Sequence, residues 1–252
     1  MGQMKKTIKS ACKRALALVG IEVRRARAHD WTDVASFIPF EPTLKAAAAA
    51  GVSVGDYIDG VMNKIPGATQ ATVDGMKALG VFAAPVETVL EIGPGSGRYL
   101  EKTLAACSPK RYEFYETANK WAGYVEQKYG AVRQPTSGSS LAPTPTASVD
   151  LVQAHKVFSG LDLLITLRYW AEMARVVRPG GAVVFDVVTE RCLDPETITR
   201  WIDSGLHTGS YPSAVPRESA LGYFAGRGLG LVGSFLVPMG PGTTEVLVFR
   251  KR

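Results

Sequence analysis

The sequence has few cysteines and few histidines, three of each among 252 residues. The cysteines lie far apart and form no C-x-x-C pair. No secretory signal accompanies them, because the N-terminus is basic and only a short apolar run follows it. This pattern is typical of a reducing compartment, so we expect a cytoplasmic protein with free cysteines. A zinc site is not expected.

Long apolar runs are also absent. No stretch reaches the roughly 18 to 20 apolar residues that span a bilayer. Apolar residues make up 46% and charged residues 21%, as in ordinary globular proteins. An integral membrane protein is therefore not expected, and the length suits one large α/β domain or a core domain with a lid.

Residues 1–30 contain eight lysines and arginines against two acids, which accounts for the whole net charge of +6. Between residues 5 and 19 the apolar side chains fall on one helical face. Such a basic amphipathic helix suits a peripheral contact with an anionic membrane or another acidic surface. A helix packed on its own domain is the alternative. Nucleic acid is not an expected partner, because no aromatic residues interleave with the charges.

Residues 31–84 have a helical pattern, with predicted C-cap glycines at Gly51 and Gly80. The segment "YIDGVMNKIPGAT" between them combines aromatic, amide and turn residues, and we interpret it as a substrate-side lid. The predicted organisation is therefore an N-terminal unit, residues 1–84, with a basic helix and a helical lid, followed by a second domain, residues 85–252.

From residue 86 onward, short β-rich runs alternate with helical segments. The runs VETVLEI, RYEFYE, AVRQ, VDLVQA and GAVVFDVV predict a parallel sheet with right-handed crossovers. The closing "GLGLVGSFLVPMGPGTTEVLVFRKR" reads as two further strands joined by a tight turn. The predicted fold is a Rossmann-like α/β domain: a seven-stranded, mostly parallel sheet with a C-terminal antiparallel strand pair and an N-terminal helical extension.

The stretch "VLEIGPGSGRYL" places three glycines directly after the first predicted strand. A phosphate-binding P-loop would need G-K-[ST], which is absent. A dinucleotide site would need the third glycine of G-x-G-x-x-G, but Arg98 occupies that position. The sequence therefore disfavours both a P-loop and a dinucleotide site, and a nicotinamide-dependent oxidoreductase is kept only as an alternative.

The same stretch has the spacing E-x-G-x-G-x-G, which resembles motif I of the class I S-adenosylmethionine-dependent methyltransferases. The similarity continues in "SVDLVQAHKVF" and "EMARVVRPGGAVVFDVV", over about residues 86–188. It implies that the chain is a methyltransferase with S-adenosyl-L-methionine as its cofactor. A binding or scaffold protein that keeps this fold without activity is the alternative. The resemblance assigns the amino-acid part of the cofactor to the glycine loop: Glu91, Gly93, Pro94, Gly95 and Gly97.

Further cofactor contacts follow from the resemblance. Glu116 closes the second strand, where the family holds the ribose hydroxyls, and a carboxylate can accept hydrogen bonds from two vicinal hydroxyls. The family often places Asp before Gly after its third strand, whereas this chain has Ser137 there. We therefore assign the adenine contact to Ser139 and Ser140, with a backbone carbonyl as the alternative.

Methyl transfer to a hydroxyl also needs a group that removes the proton. His155 follows the fourth strand, and the ordinary pKa of histidine lies near neutrality. We predict it as the base and as a cofactor contact, with a purely packing histidine as the alternative. Glu190 and His207, after the fifth strand, are the other candidate bases. No acid–amide cluster follows Asp186, so a catalytic metal is not expected.

The acceptor is suggested by two features. The helices before the sheet and the insertion after the fifth strand imply a covered pocket, and residues 205–216 combine glycine, serine and aromatic residues that suit a polyhydroxylated ligand. The segments "HKVFSG" and "GSYPS" resemble methyltransferases that are associated with bacterial cell-surface glycans. We therefore expect O-methylation of a sugar or glycan hydroxyl, or of a related small molecule. The oligomeric state stays open.

Overall fold

The computed structural model describes residues 37–206 and 211–252. The basic helix that we predict within residues 1–30 and the candidate base His207 lie outside the described residues.

Seven strands of the described chain form one mixed sheet in the order β3-β2-β1-β4-β5-β7-β6. Strands β1 to β5 run parallel, and β7 lies antiparallel between β5 and β6. This arrangement confirms the fold class that the sequence predicts. The strands are β1 (Thr88–Ile92), β2 (Arg111–Tyr115), β3 (Val132–Arg133), β4 (Val149–Ala154), β5 (Val177–Val187), β6 (Leu229–Met239) and β7 (Gly242–Lys251).

The described helices are α1 (Phe40–Ala50), α2 (Val54–Tyr57), α3 (Ala68–Ala78), α4 (Arg98–Cys107), α5 (Asn119–Tyr129), α6 (Leu163–Val176), α7 (Pro195–Ser204) and α8 (Arg217–Ala225). One π-helical turn, Ile58–Met62, continues α2, and short 3₁₀ turns cover Phe158–Gly160 and Glu190–Cys192. Local sequence explains several boundaries. α1 ends at Gly51, which has a left-handed φ of 66°. α7 begins after Asp194, whose side chain accepts a hydrogen bond from the N–H of Thr197.

Both faces of the sheet are buried. On one face, Trp170 of α6 and Phe224 of α8 pack against Phe185 of β5. On the other face, Met76 of α3 and Leu100 of α4 belong to a second apolar cluster with β1, β4, β5 and β7. Strands covered on two faces are expected to be continuous apolar runs, and this explains why β4 and β5 lack polar alternation.

The N-terminal helices pack on α5 through a smaller apolar cluster. Ala47 and Ile58 contribute to this cluster with Trp121 of α5. The indole N–H of Trp121 also donates to the carbonyl of Ile38, at 2.8 Å. The N-terminal helices are thereby attached next to the carboxyl end of β2.

The two edges of the sheet differ in length. β3 contributes only two residues, Val132–Arg133. β6 is eleven residues long, but its pairing with β7 is interrupted by a register shift between Leu231 and Gly233, and it contains Pro238.

Two glycines provide a test of the packing. A Cβ on Gly181 would lie 2.9 Å from the carbonyl oxygens of Arg178 and Asp150. We expect Gly181→Ala to lower the free energy of unfolding by about 1–3 kcal/mol, because backbone atoms cannot move aside easily. Gly123→Ala, inside α5 with no atom within 4 Å, should raise it by about 1 kcal/mol. Urea unfolding measures both, and a Gly181→Ala protein as stable as the parent would contradict the packing.

Candidate cofactor site

The three glycines after β1 have different surroundings, although all have positive φ. A Cβ on Gly93 would lie 2.8 Å from Val157, and one on Gly97 would lie 2.7 Å from the ring of Tyr129. A Cβ on Gly95 would meet no atom within 4 Å. Gly93 and Gly97 therefore allow close packing within the protein, and Gly95 marks the side of the loop that a ligand can approach. The sequence interpretation had assigned all three to the ligand.

Pro94 and Glu116 complete this loop. Pro94 is buried, and its carbonyl accepts the N–H of Gly97 at 2.9 Å. Glu116, 7% exposed, accepts the N–H of Gly95 on one carboxylate oxygen and the N–H of Ala118 on the other, each at 2.8 Å. Glu116 thus connects the glycine loop to the start of α5.

A cavity of about 500 Å³ opens beside Glu116. It lies where β2 and β3 end, and its size is within the usual range for small-molecule sites. Its lining is polar: Glu116, Thr117, Asn119, Arg133, Gln134, Pro135, Thr136 and Ser137. Ser139 and Ser140 are not among these residues, and the Ser140 hydroxyl accepts the N–H of Ala142 at 3.1 Å.

Glu91 lies in a buried polar network rather than at this cavity. Its carboxylate, on the sheet face covered by α4, accepts the hydroxyl of Tyr112 at 2.5 Å. Gln153 in turn donates to the same Tyr112 hydroxyl and to Thr103 of α4. Burial is the main reason that the pKa of Glu91 is raised from 4.5 to about 7. The cofactor contact predicted for Glu91 stays a prediction.

His155 follows β4 and is 5% exposed. Its ring stacks on Tyr99 of α4, with centroids 4.3 Å apart and planes inclined by 19°. Neither ring nitrogen has a hydrogen-bond partner among the described residues. Burial is the main cause that lowers the pKa of His155 to about 4, so the imidazole is neutral at physiological pH. A neutral ring has one nitrogen that can accept a proton.

A buried ion pair stands next to His155. The backbone N–H of Lys156 donates to one carboxylate oxygen of Asp186 at 2.7 Å, and its ammonium lies 3.1 Å from the other. The ammonium also donates to the hydroxyl of Thr244, on β7, at 2.5 Å. The sequence did not suggest Lys156, because only the fold brings Asp186 of β5 and Thr244 of β7 to the turn after β4.

Glu190 has a different environment. It is exposed, and its carboxylate accepts the backbone N–H of Arg217 at the start of α8, at 3.1 Å. A carboxylate at a helix N-terminus is favourable because it pairs with an otherwise unsatisfied N–H. The structure therefore brings Glu190 to a helix terminus, and its proposed catalytic role stays a prediction.

Arg98 pairs with a residue that the sequence did not suggest. It donates to the carboxylate of Asp59, 2.7 Å away and 3% exposed, which also accepts the N–H and hydroxyl of Thr69. A Cβ on Gly55 would lie 3.1 Å from that of Arg98. The side chain that disfavours a dinucleotide site thus joins the N-terminal helices to α4.

Residues 37–206 and 211–252 contain neither a metal-binding cluster nor a membrane-spanning helix. No group of three or more histidine, cysteine, aspartate or glutamate side chains there is placed to hold a metal ion. No helix in these ranges is both long and apolar enough to cross a membrane.

Residues 90–185, which include the glycine loop, Glu116 and His155, match the sequence profile of a family described as "Methyltransferase domain". This segment is a class I, S-adenosylmethionine-dependent methyltransferase domain. No curated protein matches the chain.

Solved structures resemble the methyltransferase domain in fold. An O-methyltransferase family protein from Burkholderia thailandensis is 20% identical, with a TM-score of 0.57 over 73% of this chain and 56% of that one. Magnesium protoporphyrin IX methyltransferase from Synechocystis, with bound SAH, is 12% identical, with a TM-score of 0.56 over 73% and 82%. The N-methyltransferase NodS from Bradyrhizobium japonicum, in complex with S-adenosyl-L-homocysteine, is 18% identical, with a TM-score of 0.54 over 72% of this chain and 86% of that one. The chain thus spans little more than half of the Burkholderia protein.

The methyltransferase domain should lose stability with rising pH because of Glu91. The pKa of Glu91 is raised in the folded protein. Its contribution to the free energy of unfolding is therefore complete below about pH 4.5 and is lost as the pH rises through about 7. The variant Glu91→Gln lacks this titration. We therefore expect the free energy of unfolding of the variant, minus that of the parent, to increase from about pH 4.5 to about pH 7 by up to about 1.4 kcal/mol per pH unit. Urea unfolding from pH 4 to 9 measures the difference. A constant difference would mean that the folded protein holds Glu91 ionised.

Proposed function

We propose that this chain transfers a methyl group from S-adenosyl-L-methionine to a hydroxyl oxygen of a sugar, a glycan or a related small molecule, with His155 as the general base. The observation that carries the proposal is the buried, neutral imidazole of His155 with its two unpartnered nitrogens, which follows β4 directly and lies two residues after Gln153, beside the glycine loop.

The residues present fit the cofactor. The backbone of Gly95 is open to a ligand, and Glu116 lies between it and the cavity. In the proposal, Glu116 accepts the ribose hydroxyls, and the adenine lies against the cavity wall near Ser137. Bound S-adenosyl-L-methionine supplies an electrophilic methyl group on a sulfonium. The protein then has to orient the acceptor oxygen in line with that methyl and exclude water.

His155 would take the proton that the acceptor hydroxyl loses. A ring nitrogen of His155 would take up the hydroxyl proton while the acceptor oxygen gains the methyl group, and the cofactor's sulfur would keep the electron pair of its former bond to that carbon. An alkyl hydroxyl is a weak nucleophile until this proton is removed, whereas a neutral amine needs no such help before it attacks. A buried neutral imidazole therefore favours an oxygen acceptor.

The acceptor class is inferred from the segment after β5. Trp201 and Tyr211 flank residues whose composition is rich in glycine and serine, and their ring centroids lie 5.7 Å apart. Trp201 is 8% exposed and packs in an apolar cluster with Met239, so in this proposal the half-buried ring of Tyr211 lies against the sugar, and small polar residues provide hydrogen bonds to its hydroxyls. In this proposal the segment YIDGVMNKIPGAT serves as a lid over the acceptor, and residues 1–30 provide a contact with an acidic or membrane surface.

Cofactor binding tests the first part. Glu116→Gln should raise the Kd for S-adenosylhomocysteine at least about tenfold, because an amide loses the charge-assisted bonds to N–H and hydroxyl donors. Titration calorimetry measures the affinity, and circular dichroism checks the fold. Glu126→Gln, at an exposed position of α5, is the matched control. A Kd within threefold of the parent, or heat with a nicotinamide nucleotide instead, would remove the assignment.

The reaction itself is tested with radiolabelled cofactor and separate fractions of cell glycans, lipids and small amines. We expect label in the hydroxyl-bearing glycan fraction, and we expect His155→Gln to lower kcat by roughly 10²- to 10⁴-fold, far more than it raises the Kd for S-adenosylhomocysteine. The parent's kcat/KM should be level from about pH 6 to about pH 8, because the free enzyme's His155 is already neutral.

Label in the amine fraction would argue against an oxygen acceptor. A His155→Gln enzyme within a few-fold of the parent would move the role to Glu190 or His207. Cofactor binding with no label in any fraction would favour the scaffold alternative.

A further inference from the structure

Lys156, directly after His155, has an unusual backbone. Its φ is 60°, in the left-handed region that side chains with a Cβ rarely adopt. Such a conformation persists only where its surroundings hold it, and it is more frequent at functional sites. Three other non-glycine residues of the described chain share a positive φ: Lys64, Ser108 and Ala147. Lys156 differs from them because it follows a central strand beside the glycine loop.

Asp186 provides the contacts that hold this conformation. It accepts the Lys156 backbone N–H on one oxygen and the Lys156 ammonium on the other. The hydroxyl of Thr244 donates to the same carboxylate at 2.5 Å. Because backbone and side chain of one residue are held by one carboxylate, the torsion angles between them are restricted. Asp186 is 1% exposed and lies on β5, opposite Val246 of β7, so its own position is fixed.

The ammonium keeps the carboxylate charged. Burial alone would raise the pKa of Asp186, but Lys156, then His155 and the Thr244 hydroxyl, outweigh it, and the pKa is lowered. Burial lowers the pKa of Lys156, and Asp186 opposes that change. The side chain of Lys156 is 17% exposed, so solvent screens the pair weakly.

His155 is thus restrained on two sides. Its ring stacks on Tyr99, and the peptide bond that follows it ends in the N–H held by Asp186. The charged groups that act on the imidazole are Asp186 from β5, Lys156 from its own turn and Arg98 from α4. None of them is bonded to the ring nitrogens, so the ring is oriented without losing its capacity to accept a proton.

We propose that Asp186 and Lys156 are positioning residues for His155: Asp186 fixes the peptide that follows the imidazole, and the Lys156 ammonium holds Asp186 in its ionised, bridging geometry. The catalytic meaning of this arrangement rests on the proposed function of His155. The positioning itself does not, and it can be measured without an acceptor.

The experiment records the ring C–H resonances of His155 in the full chain by two-dimensional NMR. The sequence has three histidines, so the signal that disappears in His155→Gln identifies the residue. We expect an upfield position in the parent, because the ring lies over Tyr99, and a displaced or broadened signal in Asp186→Asn and Lys156→Gly. Glycine at 156 keeps the left-handed backbone without strain but lacks the ammonium.

Asp150→Asn is the matched control. Asp150 accepts the backbone N–H groups of Glu87 and Thr88 and pairs with Arg178, but it lies at the opposite end of β4. Its variant should leave the His155 signal in place. An unmoved signal in Asp186→Asn, or an equal displacement in Asp150→Asn, overturns the proposal. An unmoved signal in Lys156→Gly alone overturns the part assigned to the ammonium. If Asp186→Asn does not fold, Lys156→Gly provides the test.

Kinetics separate this proposal from the proposed function. Asp186→Asn and Lys156→Gly should lower kcat about tenfold to a hundredfold, with the Kd for S-adenosylhomocysteine and the KM for the acceptor within threefold, because a small misplacement of a base affects only the chemical step. A kcat within threefold of the parent in both variants overturns the proposal if His155→Gln is inactive. If the NMR signal moves while His155→Gln stays active, the positioning is supported and the base assignment is wrong.

Discussion

Buried carboxylates at the carboxyl edge of the sheet hold the loops that build the site. Glu116 accepts the N–H of Gly95, and Asp186 accepts that of Lys156. Asp59 accepts the N–H of Thr69 in the first turn of α3 while it pairs with Arg98. An ionised carboxylate cannot be buried without such donors, and a loop N–H away from water needs an acceptor. Each pairing satisfies two requirements together, and the loops lose the freedom that irregular segments usually have.

The ionisable side chains deeper in the sheet, Glu91 and His155, are instead favoured in their uncharged forms. Burial raises the pKa of Glu91 and lowers that of His155, so both changes favour the uncharged form. Between about pH 4 and pH 7 both groups are therefore mainly uncharged, whereas Asp186 and Lys156 at the edge are charged and paired with each other.

The sequence predicted the sheet well because its signals are local. Strand-forming runs, helical periodicity and the Gly-rich turn after the first strand each depend on neighbouring residues, and together they specify the order of the elements. The site was predicted less completely. Glu116 and His155 directly follow strands and could be located by counting. The pairs Arg98–Asp59 and Lys156–Thr244 form only after the fold brings together residues far apart in the chain.

The glycine loop shows the same difference between what local sequence predicts and what only the tertiary structure reveals. Its spacing indicated the cofactor class, because backbone close to a ligand requires glycine. Spacing does not reveal which Cβ would collide with the protein itself, and the packing of Gly93 on Val157 and of Gly97 on Tyr129 depends on the tertiary structure. For the same reason Ser137 rather than Ser139 lines the cavity, since the loop after β3 has no regular periodicity from which side-chain direction could be predicted.

The two edge strands of the sheet, β3 and β6, bear on how readily another strand could add to it. An edge strand with a long, flat row of free N–H and C=O groups can recruit a strand from another molecule and begin aggregation. Here β3 offers only Val132–Arg133, and β6 is bent by its irregular pairing after Leu231 and lacks a donor at Pro238. β3 is therefore too short to be an extended template for another strand, and the register shift and Pro238 divide the longer edge that β6 offers.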